Sequence, residues 1–484
     1  MSISSAINSA QSGLNATSRR ADIVANNVAN ASTPGYVRRS VTLSENILNS
    51  NVSGGVVVEG ITRNQNALLQ TELRATTSDL ARADVLSSIW SNLSTRVGDT
   101  ADGPGLFNSM AEFESALSAA VLSPESGTEA QALLMSAENL VDQFNSLSAA
   151  AQQVRAEADA EIATTVNTIN SALQQIEALN GKIAGTDISS NYGASLLDER
   201  GRVLDALSEF LPVQAVPRDS GTIDVITPEG VFLIGGSRAA TIEFTPSSAF
   251  QANQTIEGGQ LSGMMVNGID VTPGANSFGA VSSGTLAALF QTRDQDIPAF
   301  SEQLDTVAND LVTRLSADGI DPTTASGDFG LFVDPDPAAG AGLAGRLQIN
   351  SAVDPAQGGE IWRLRDGMGA LTEGEPGNKT ILTAMLDALT AVNSINTGGL
   401  QGNFSATGMA AELSSLVGQN RVSHEAVFDS TNIQYTALYE AQQSESGVDI
   451  DAQMQELLLV EQAYAANARV IEVASQMINR LMEL

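Results

Sequence analysis

Residues 3–31 read ISSAINSAQSGLNATSRRADIVANNVANA, and this stretch predicts a long helix with one apolar stripe. The stripe repeats at alternating spacings of four and three residues, the pattern of a helix that packs along another helix. Residues 457–481 carry a second stripe with the same spacing. The two stripes consist of Ile3, Ile7, Ala10, Leu14, Thr17, Ala21, Val24 and Val28, and of Leu457, Val460, Tyr464, Asn467, Ile471, Ala474, Ile478 and Leu481. We therefore expect the two ends to pack on each other or on copies in neighbouring subunits, and to fray where no partner is present.

The segment that ends the first helix combines asparagines with a turn signal. Asn26, Asn27 and Asn30 lead into residues 32–36, which read STPGY. Pro34 disfavours helix at the residue before it, and a Pro-Gly pair favours a turn. Taken alone, the segment is an ordinary helix stop.

The two ends together resemble a known protein family. Residues 25–36 read ANNVANASTPGY and residues 457–484 read LLLVEQAYAANARVIEVASQMINRLMEL. This pair resembles the terminal signatures of the flagellar rod, hook and hook-associated proteins. Residues 182–211, which include LLDERG, and residues 283–315 resemble the hook–filament junction members of that family. Residues 212–282 and 320–400 match poorly.

The resemblance implies a non-enzymatic structural subunit of the flagellum. Its expected partners are identical subunits in a ring, the flagellar hook protein, the second hook–filament junction protein and a dedicated export chaperone. It implies an extracellular location at the hook–filament junction, export without a cleaved signal peptide, and neither cofactor nor metal. A hook or distal-rod subunit is the alternative, because those proteins share both ends. The stripes and the turn motif predict an assembly interface formed by Ile3, Ile7, Leu14, Val24, Asn26, Asn27, Val28, Asn30, Pro34, Gly35, Tyr36, Leu457, Val460, Tyr464, Asn467, Ile471, Ile478 and Leu481.

Composition narrows the class of partner. The 484 residues carry a formal net charge of -33, so the chain could not neutralise phosphate and nucleic acid is not an expected partner. Cysteine is absent, and neither a signal peptide nor an apolar run of the ~20 residues that a membrane helix needs is predicted. The first 40 residues hold four arginines against one aspartate, whereas residues 449–484 hold six acidic residues against two arginines. Opposite charge favours pairing of the two ends, although exposed ion pairs contribute only ~0.2–1 kcal/mol each.

The periodicity along the chain predicts a mainly α protein with an inserted β domain. We expect long terminal coiled-coil helices, an elongated helical-bundle domain and a small all-β insertion whose deletion leaves the helical domain folded. Asn267-Gly268 is the strongest hairpin signal, and short strands are expected at 347–349 and 361–364. The predicted division is an axial helix and turn motif (1–60), a helical domain in three parts (61–211, 283–317 and 379–447), the β insertion (212–282), a Gly/Pro/Asp-rich β and loop region (318–378), and a C-terminal axial helix (448–484).

Two features could indicate chemistry, and neither has the context it needs. Residues 340–345 read GAGLAG, a dinucleotide-binding pattern, but no strand precedes it and no helix follows it, so a loop is expected. His424, the single histidine, lies at a heptad position and is expected to pack between helices or face solvent. An enzyme would need a cluster of nucleophile, base or metal ligands that the sequence does not show. A fibrous adhesin would explain the heptads, but not the paired terminal motifs.

Overall fold

The computed structural model describes residues 3–49, 52–98, 103, 105–236, 238–248, 250–275 and 277–482. Most of this part of the chain is helical, which confirms the predicted fold class. The helices are α1 (Ile3–Ala29), α2 (Ala67–Val97), α3 (Leu106–Leu122), α4 (Gly127–Ala184), α5 (Asn191–Phe210), α6 (Gly284–Gln291), α7 (Ile297–Leu315), α8 (Arg363–Asp366), α9 (Thr380–Thr390), α10 (Ala406–Ser446) and α11 (Ile450–Met482). None of these described helices is long and apolar enough to cross a bilayer.

The strands form small antiparallel sheets. They are β1 (Arg39–Asn49), β2 (Val52–Arg63), β3 (Gln214–Pro217), β4 (Ile223–Ile226), β5 (Phe232–Gly235), β6 (Arg238–Ala239), β7 (Ile242–Glu243), β8 (Met265–Val266), β9 (Ile269–Asp270), β10 (Phe332–Val333), β11 (Gln348–Ile349), β12 (Asn393–Thr397) and β13 (Leu400–Phe404). Three hairpins pair β1 with β2, β10 with β11 and β12 with β13. A four-stranded sheet runs β3-β4-β5-β6, and a three-stranded sheet runs β7-β8-β9.

Helix α4 is the longest element and supports both large cores. Ser126 caps its start by accepting a hydrogen bond from the Glu129 amide at 3.3 Å. At 1.5 Å per residue its 58 residues extend about 87 Å. Leu133 to Ala151 lie in one hydrophobic core, and Ala158 to Ile176 lie in another. The elongated helical domain is therefore two cores arranged along one helix.

The first core joins α4 to helices from distant parts of the sequence. Buried side chains of α3, α7, α9 and the start of α10 surround the first half of α4. The loop region after α7 also contributes, and Phe332 packs edge-on against Phe113 with ring centroids 5.4 Å apart. Apolar residues within the predicted Gly/Pro/Asp-rich region thus belong to the helical core.

The second core combines helices with the β segment. Side chains of β4, β5, β7 and β8 pack with the second half of α4, the end of α5 and α6. Ile223, Val225 and Ile234 are buried there together with Ile169 and Phe290. The β structure predicted for 212–282 is present, but its strands supply part of a shared core, which argues against the expectation that the helical domain stays folded when they are deleted. The seven-part domain division itself stays a prediction.

The turns of the β8–β9 and β12–β13 hairpins both contain glycine with a positive φ angle, and the sequence predicted the first of them. Asn267 and Gly268 have φ angles of 50° and 80° and connect β8 to β9, so the predicted hairpin is confirmed. Gly398 and Gly399, with φ angles of 57° and 76°, make a similar turn between β12 and β13, which the sequence analysis missed. The strands of this second hairpin are largely exposed, so they lack the apolar alternation that marks a strand.

Three other segments were predicted as a strand or a helix, and the structure confirms one of them, contradicts one and divides one. The strand at 347–349 is confirmed as β11, which pairs with β10. The strand predicted at 361–364 is wrong: the amides of residues 363–366 bond to carbonyls three or four residues earlier, so the segment closes on itself as α8. The helix predicted over 285–316 is divided by a π-helical turn, Thr292–Asp296. Arg293 in this turn is buried against the Asp159 carboxylate at 2.6 Å.

Candidate assembly interface

Helices α1 and α11 pack on each other in antiparallel orientation. Asn27 meets Gln453 near one end of the pair, and Gly13 lies against the Asn467 side chain near the middle. Arg20 forms an ion pair with Glu456, one of the opposite-charge contacts that composition predicted. The structure therefore selects the first of the two sequence alternatives, pairing within the chain. Each helix is the partner of the other, so the condition under which the ends were expected to fray is not met within this chain.

The contact face matches the predicted stripes in part. Of the α1 stripe, Ala10, Thr17 and Val24 are buried, whereas Ile3, Ile7, Leu14, Ala21 and Val28 are half-buried. Of the α11 stripe, Val460 and Ala474 are buried, Leu457, Asn467 and Ile471 are half-buried, and Tyr464, Ile478 and Leu481 are exposed. The predicted seam is correct through the middle of the pair, and it opens to solvent where α11 runs towards its C-terminal end. A role for these residues in assembly stays a prediction.

A second apolar face of α11 has no cover within the described part of the chain. Leu459 is 59% exposed and Val473 49% exposed. The same face carries Val470 and Met477, whereas the exposed Met454, Leu458 and Met482 lie on other sides of the helix. Residues of α1 and α11, including Ile3, Ala6 and Val473, line an apolar groove of about 310 Å³ beside it. Exposed apolar surface of this kind is typical of protein–protein contacts.

Asn27 connects the turn motif to both terminal segments by hydrogen bonds. Its side chain is 1% exposed. Its amide nitrogen donates to the Arg39 carbonyl at 2.9 Å and to the Gln453 side-chain oxygen at 2.8 Å. Its oxygen accepts from the Arg39 amide at 3.1 Å and from the Tyr36 hydroxyl at 2.8 Å. Because an asparagine side chain has two donor hydrogens and two acceptor lone pairs, these bonds use its full capacity.

The other residues of the turn motif form hydrogen bonds to groups close by in the sequence. Asn26 donates to the Asp22 carbonyl at 2.7 Å, and Asn30 donates to the Asn26 carbonyl at 2.9 Å. The Tyr36 amide donates to the Thr33 carbonyl at 3.2 Å, which closes the Pro34-Gly35 turn. Gly35 has a φ angle of 73°, and a Cβ atom there would lie 2.2 Å from Cγ of Arg202. The turn therefore requires glycine for both its backbone conformation and its packing.

The hairpin β1–β2 connects this pair of helices to the helical domain. The Ser12 hydroxyl in α1 accepts from the Val56 amide at 3.1 Å, and the Ile61 amide donates to the Ser189 carbonyl at 2.8 Å. The Arg38 amide donates to the Ser446 carbonyl at the end of α10, at 2.9 Å. The sequence predicts only a short β-like segment here, but the hairpin is long and it contacts three separate parts of the chain.

A buried charge cluster strengthens the same connection. Asp198 of α5 accepts from Arg39 at 2.7 Å and from Arg63 at 2.8 Å, and all three side chains are largely buried. The Arg39 guanidinium also lies over the Tyr36 ring, 4.8 Å from its centroid. Burial raises the pKa of Tyr36 and lowers that of Arg63, whose guanidinium is held in its charged form by Asp198. Leu196-Leu197-Asp198 carries part of the family resemblance, but the ion pairs of Asp198 have no signal in the sequence.

The 340–345 segment and His424, the two features that could indicate chemistry, both make contacts within the chain. Residues 340–345 form an irregular loop, as expected, and the amides of Gly342 and Ala344 donate to the Asp305 carboxylate at 2.5 and 2.8 Å. Two backbone donors of this dinucleotide-like pattern are thus occupied by the chain itself. His424 is half-buried, with its ring stacked on that of Trp90 at 6.0 Å between centroids. Burial lowers its pKa, and Asp296 nearby opposes that shift.

Comparison with known proteins assigns these features to one family. A model of the "Flagellar hook-associated protein FlgK helical domain" matches residues 91–330. The chain is 29% identical over 269 residues to flagellar hook-associated protein 1 of Escherichia coli (strain K12), an alignment that covers 52% of this chain and 47% of that protein. It is 22% identical to flagellar hook-associated protein 1 of Bacillus subtilis (strain 168), over 98% of this chain and 97% of that protein. The chain belongs to the flagellar hook-associated protein 1 family.

The alignments cover different fractions of the length of each relative. The chain spans about half the length of the Escherichia coli relative, and nearly the whole length of the Bacillus subtilis one. A solved structure of the flagellar hook junction protein FlgK from Burkholderia pseudomallei aligns with a TM-score of 0.44 and 19% identity, over 54% of this chain and 46% of that one.

The family models also cover the two ends. A model of the "Flagella basal body rod protein" matches residues 7–36, which contain most of α1 and the turn motif. A model of the "Flagellar basal body rod FlgEFG protein C-terminal" matches residues 433–484, which contain α11. The segments that pair around Asn27 are therefore the segments shared with flagellar rod proteins. The helical-domain match runs through 212–282, a region that sequence reasoning judged a poor match, in agreement with its shared core.

Proposed function

We propose that this protein is a structural subunit of the bacterial flagellum, at the junction between hook and filament. The observation that carries the proposal is the apolar face left on α11 after the two family-matched ends have paired. A subunit that only needed to fold would gain by covering these side chains, because burying a Leu, Val or Met side chain contributes roughly 1.5–3 kcal/mol. Neighbouring copies are the natural cover.

In this proposal the terminal pair is the joining element and the helical domain faces outward. The Asn27 hydrogen bonds and the Asp198 ion pairs hold the pair at a fixed position on the domain, so the apolar face is already formed before a neighbour arrives. A preformed surface loses less conformational entropy on association than one that must first fold. The expected assembly is a ring of identical subunits.

The proposed partners follow from the family. They are other copies of the chain, the flagellar hook protein, the second hook–filament junction protein and a dedicated export chaperone. The proposed location is extracellular, at the hook–filament junction, with export that cleaves no signal peptide. The proposed role is non-enzymatic. A hook or distal-rod subunit is the alternative, since the end-matching models describe rod proteins.

Complementation of a strain that lacks hook-associated protein 1 tests this function. Electron microscopy of the deletion strain should show hooks without filaments, and expression of this chain should restore the filaments. Hooks that stay bare although the chain is exported would refute the junction role. Missing hooks in a strain from which this gene is deleted would favour the alternative.

Two point variants test the surface that carries the proposal. Val473→Asp places a charge on the exposed apolar face, whereas Asn479→Asp adds the same charge to the polar side of α11. Because Val473 is about half exposed in the single chain, the substitution should leave the melting temperature of the monomer within about 1–2 °C. Burial of the new carboxylate between subunits should cost several kcal/mol and prevent filament attachment. Normal filaments with Val473→Asp, or equal loss with Asn479→Asp, would contradict the assigned surface.

A further inference from the structure

A pocket lined by arginines is bordered by no residue of α1 or α11. It has a volume of about 570 Å³ and is bordered by β2, α2, α5 and strands β3 and β4. Its lining includes Arg63, Arg74 and Arg200. This concentration of positive charge is unusual in a chain with 23 basic and 56 acidic residues.

Two of these arginines have a carboxylate partner, and the third has none. Arg63 pairs with Asp198, which also serves Arg39, and Arg74 pairs with Asp205 at 2.7 Å. Arg200 makes its hydrogen bonds to neutral oxygens, those of the Asn180 side chain and the Gly221 carbonyl, both at 2.9 Å. Within the described ranges, no acidic group pairs with it.

The geometry leaves part of the Arg200 guanidinium available. Both of its hydrogen bonds come from Nη1, so Nη2 and Nε have no partner among the described residues. The residue is only 8% exposed, and burial lowers its pKa to about 10, with Arg63 and Arg74 adding to the shift. It is still charged at neutral pH. A buried charge without a counter-ion is costly, and a bound anion would remove that cost.

The pocket has room for an anion beside Arg200. The next residue is Gly201, and a Cβ atom built there would approach no atom closer than Nε2 of Gln70, at 4.0 Å. Ile61, Leu197 and Leu204 form apolar parts of the wall. A carboxylate on a short aliphatic chain fits both features, because it offers two oxygens to the guanidinium and methylene groups to the wall.

We propose that this pocket binds a carboxylate group, with Arg200 as its direct ligand and with Arg63 and Arg74 supplying favourable charge. The carboxylate comes either from a small free anion or from an acidic side chain of a second copy of this chain. This proposal goes beyond the junction function and does not depend on it, since the site lies on the helical domain and its test needs no flagellum.

The test supplies the carboxylate in two ways and follows the melting temperature of the full chain. Sodium glutarate is the free probe, compared with sodium chloride at the same ionic strength. Gly201→Glu supplies the group from within the chain, and Gly201→Gln is its control, with the same length and a similar helix propensity but no charge. Arg200 itself is left intact because its replacement could prevent folding.

Glutarate should raise the melting temperature of the wild type by about 1–3 °C more than chloride does. Gly201→Glu should melt above Gly201→Gln by a similar amount at pH 7, and should lose the response to glutarate. No specific response of the wild type would overturn the proposal. A response of equal size in Gly201→Glu would also overturn it, because the anion would then act elsewhere on the protein.

Light scattering distinguishes the two sources of the carboxylate. If an acidic side chain of a second copy enters the pocket, glutarate and Gly201→Glu should both weaken self-association, whereas Gly201→Gln should not. If self-association is unchanged while glutarate still stabilises the wild type, the pocket takes a free anion.

Discussion

Replacement of Asn27 by alanine is the sharpest test of how the terminal helices are held. The substitution removes a side chain that bonds to the backbone N–H and C=O of Arg39, to Gln453 and to the Tyr36 hydroxyl. With the asparagine gone, the two Arg39 backbone groups stay buried without their partners. The path of β1 beside α1 and α11 depends on those bonds.

The expected magnitude follows from the number of groups left unsatisfied. A buried donor or acceptor that loses its partner costs about 1–3 kcal/mol. The two Arg39 groups therefore give a local loss of about 2–6 kcal/mol, before the weaker effect on Gln453. At 1.4 kcal/mol per factor of ten, local opening should become roughly 30- to 20,000-fold more frequent.

Hydrogen exchange measured by mass spectrometry detects this change where it occurs. In Asn27→Ala, amides around Arg39 and along α11 should exchange faster by that factor, while α4 should keep its protection. Asn26→Ala is the matched control, because Asn26 is adjacent, carries the same side chain, and bonds only within its own helix, to the Asp22 carbonyl. Its effect should stay below about tenfold.

Equal exchange in the two variants would refute the reasoning. It would mean that Asn27 is no more than a local helix residue, and that the apolar contacts alone hold the ends together. Faster exchange spread over α4 as well would show that the terminal pair and the helical domain unfold as one unit.

Three further outcomes follow from the packing. Asp198→Asn should lower the free energy of unfolding by about 3–5 kcal/mol, because it leaves two arginines buried without a counter-charge. The exposed control is Glu199→Gln, and an equal loss of unfolding free energy in a denaturant titration of both variants would refute this. Replacement of residues 212–282 by a Gly-Ser linker should abolish the cooperative melt of the second core, and an unchanged melt would show that this core is complete without the strands. His424 has a pKa lowered by burial, so the folded chain favours its neutral form. The stability that this preference gives is present above the unfolded pKa of about 6.5 and is lost as the pH falls through the folded pKa. In paired melts, wild type should therefore lose stability relative to His424→Gln between pH 7 and 5, whereas filament attachment should survive the substitution. A stability difference that does not change with pH would contradict the assignment.

Much of the secondary structure could be predicted because its signals are local. Ser126 before the longest helix, the Asn267-Gly268 turn and the heptad stripes of the two ends all act between residues close in sequence. Where local signals were weak or ambiguous the predictions were wrong, as at 361–364. There, three apolar residues in a run of four suggested a strand, but the backbone bonds within itself as α8.

The candidate interface shows what only the tertiary structure decided. Sequence alone determined that both ends carry seams for other helices and that an asparagine-rich turn follows the first, because periodicity and turn chemistry are properties of short segments. It could not tell Asn27 from Asn26 or Asn30, since the three have identical side chains, and only the path of β1 and α11 leaves one of them buried between distant groups. The same holds for Asp198, for the β strands that complete a helical core, and for the unpaired Arg200. Their roles are set by partners far away in the sequence, and the folded chain alone brings those partners within reach.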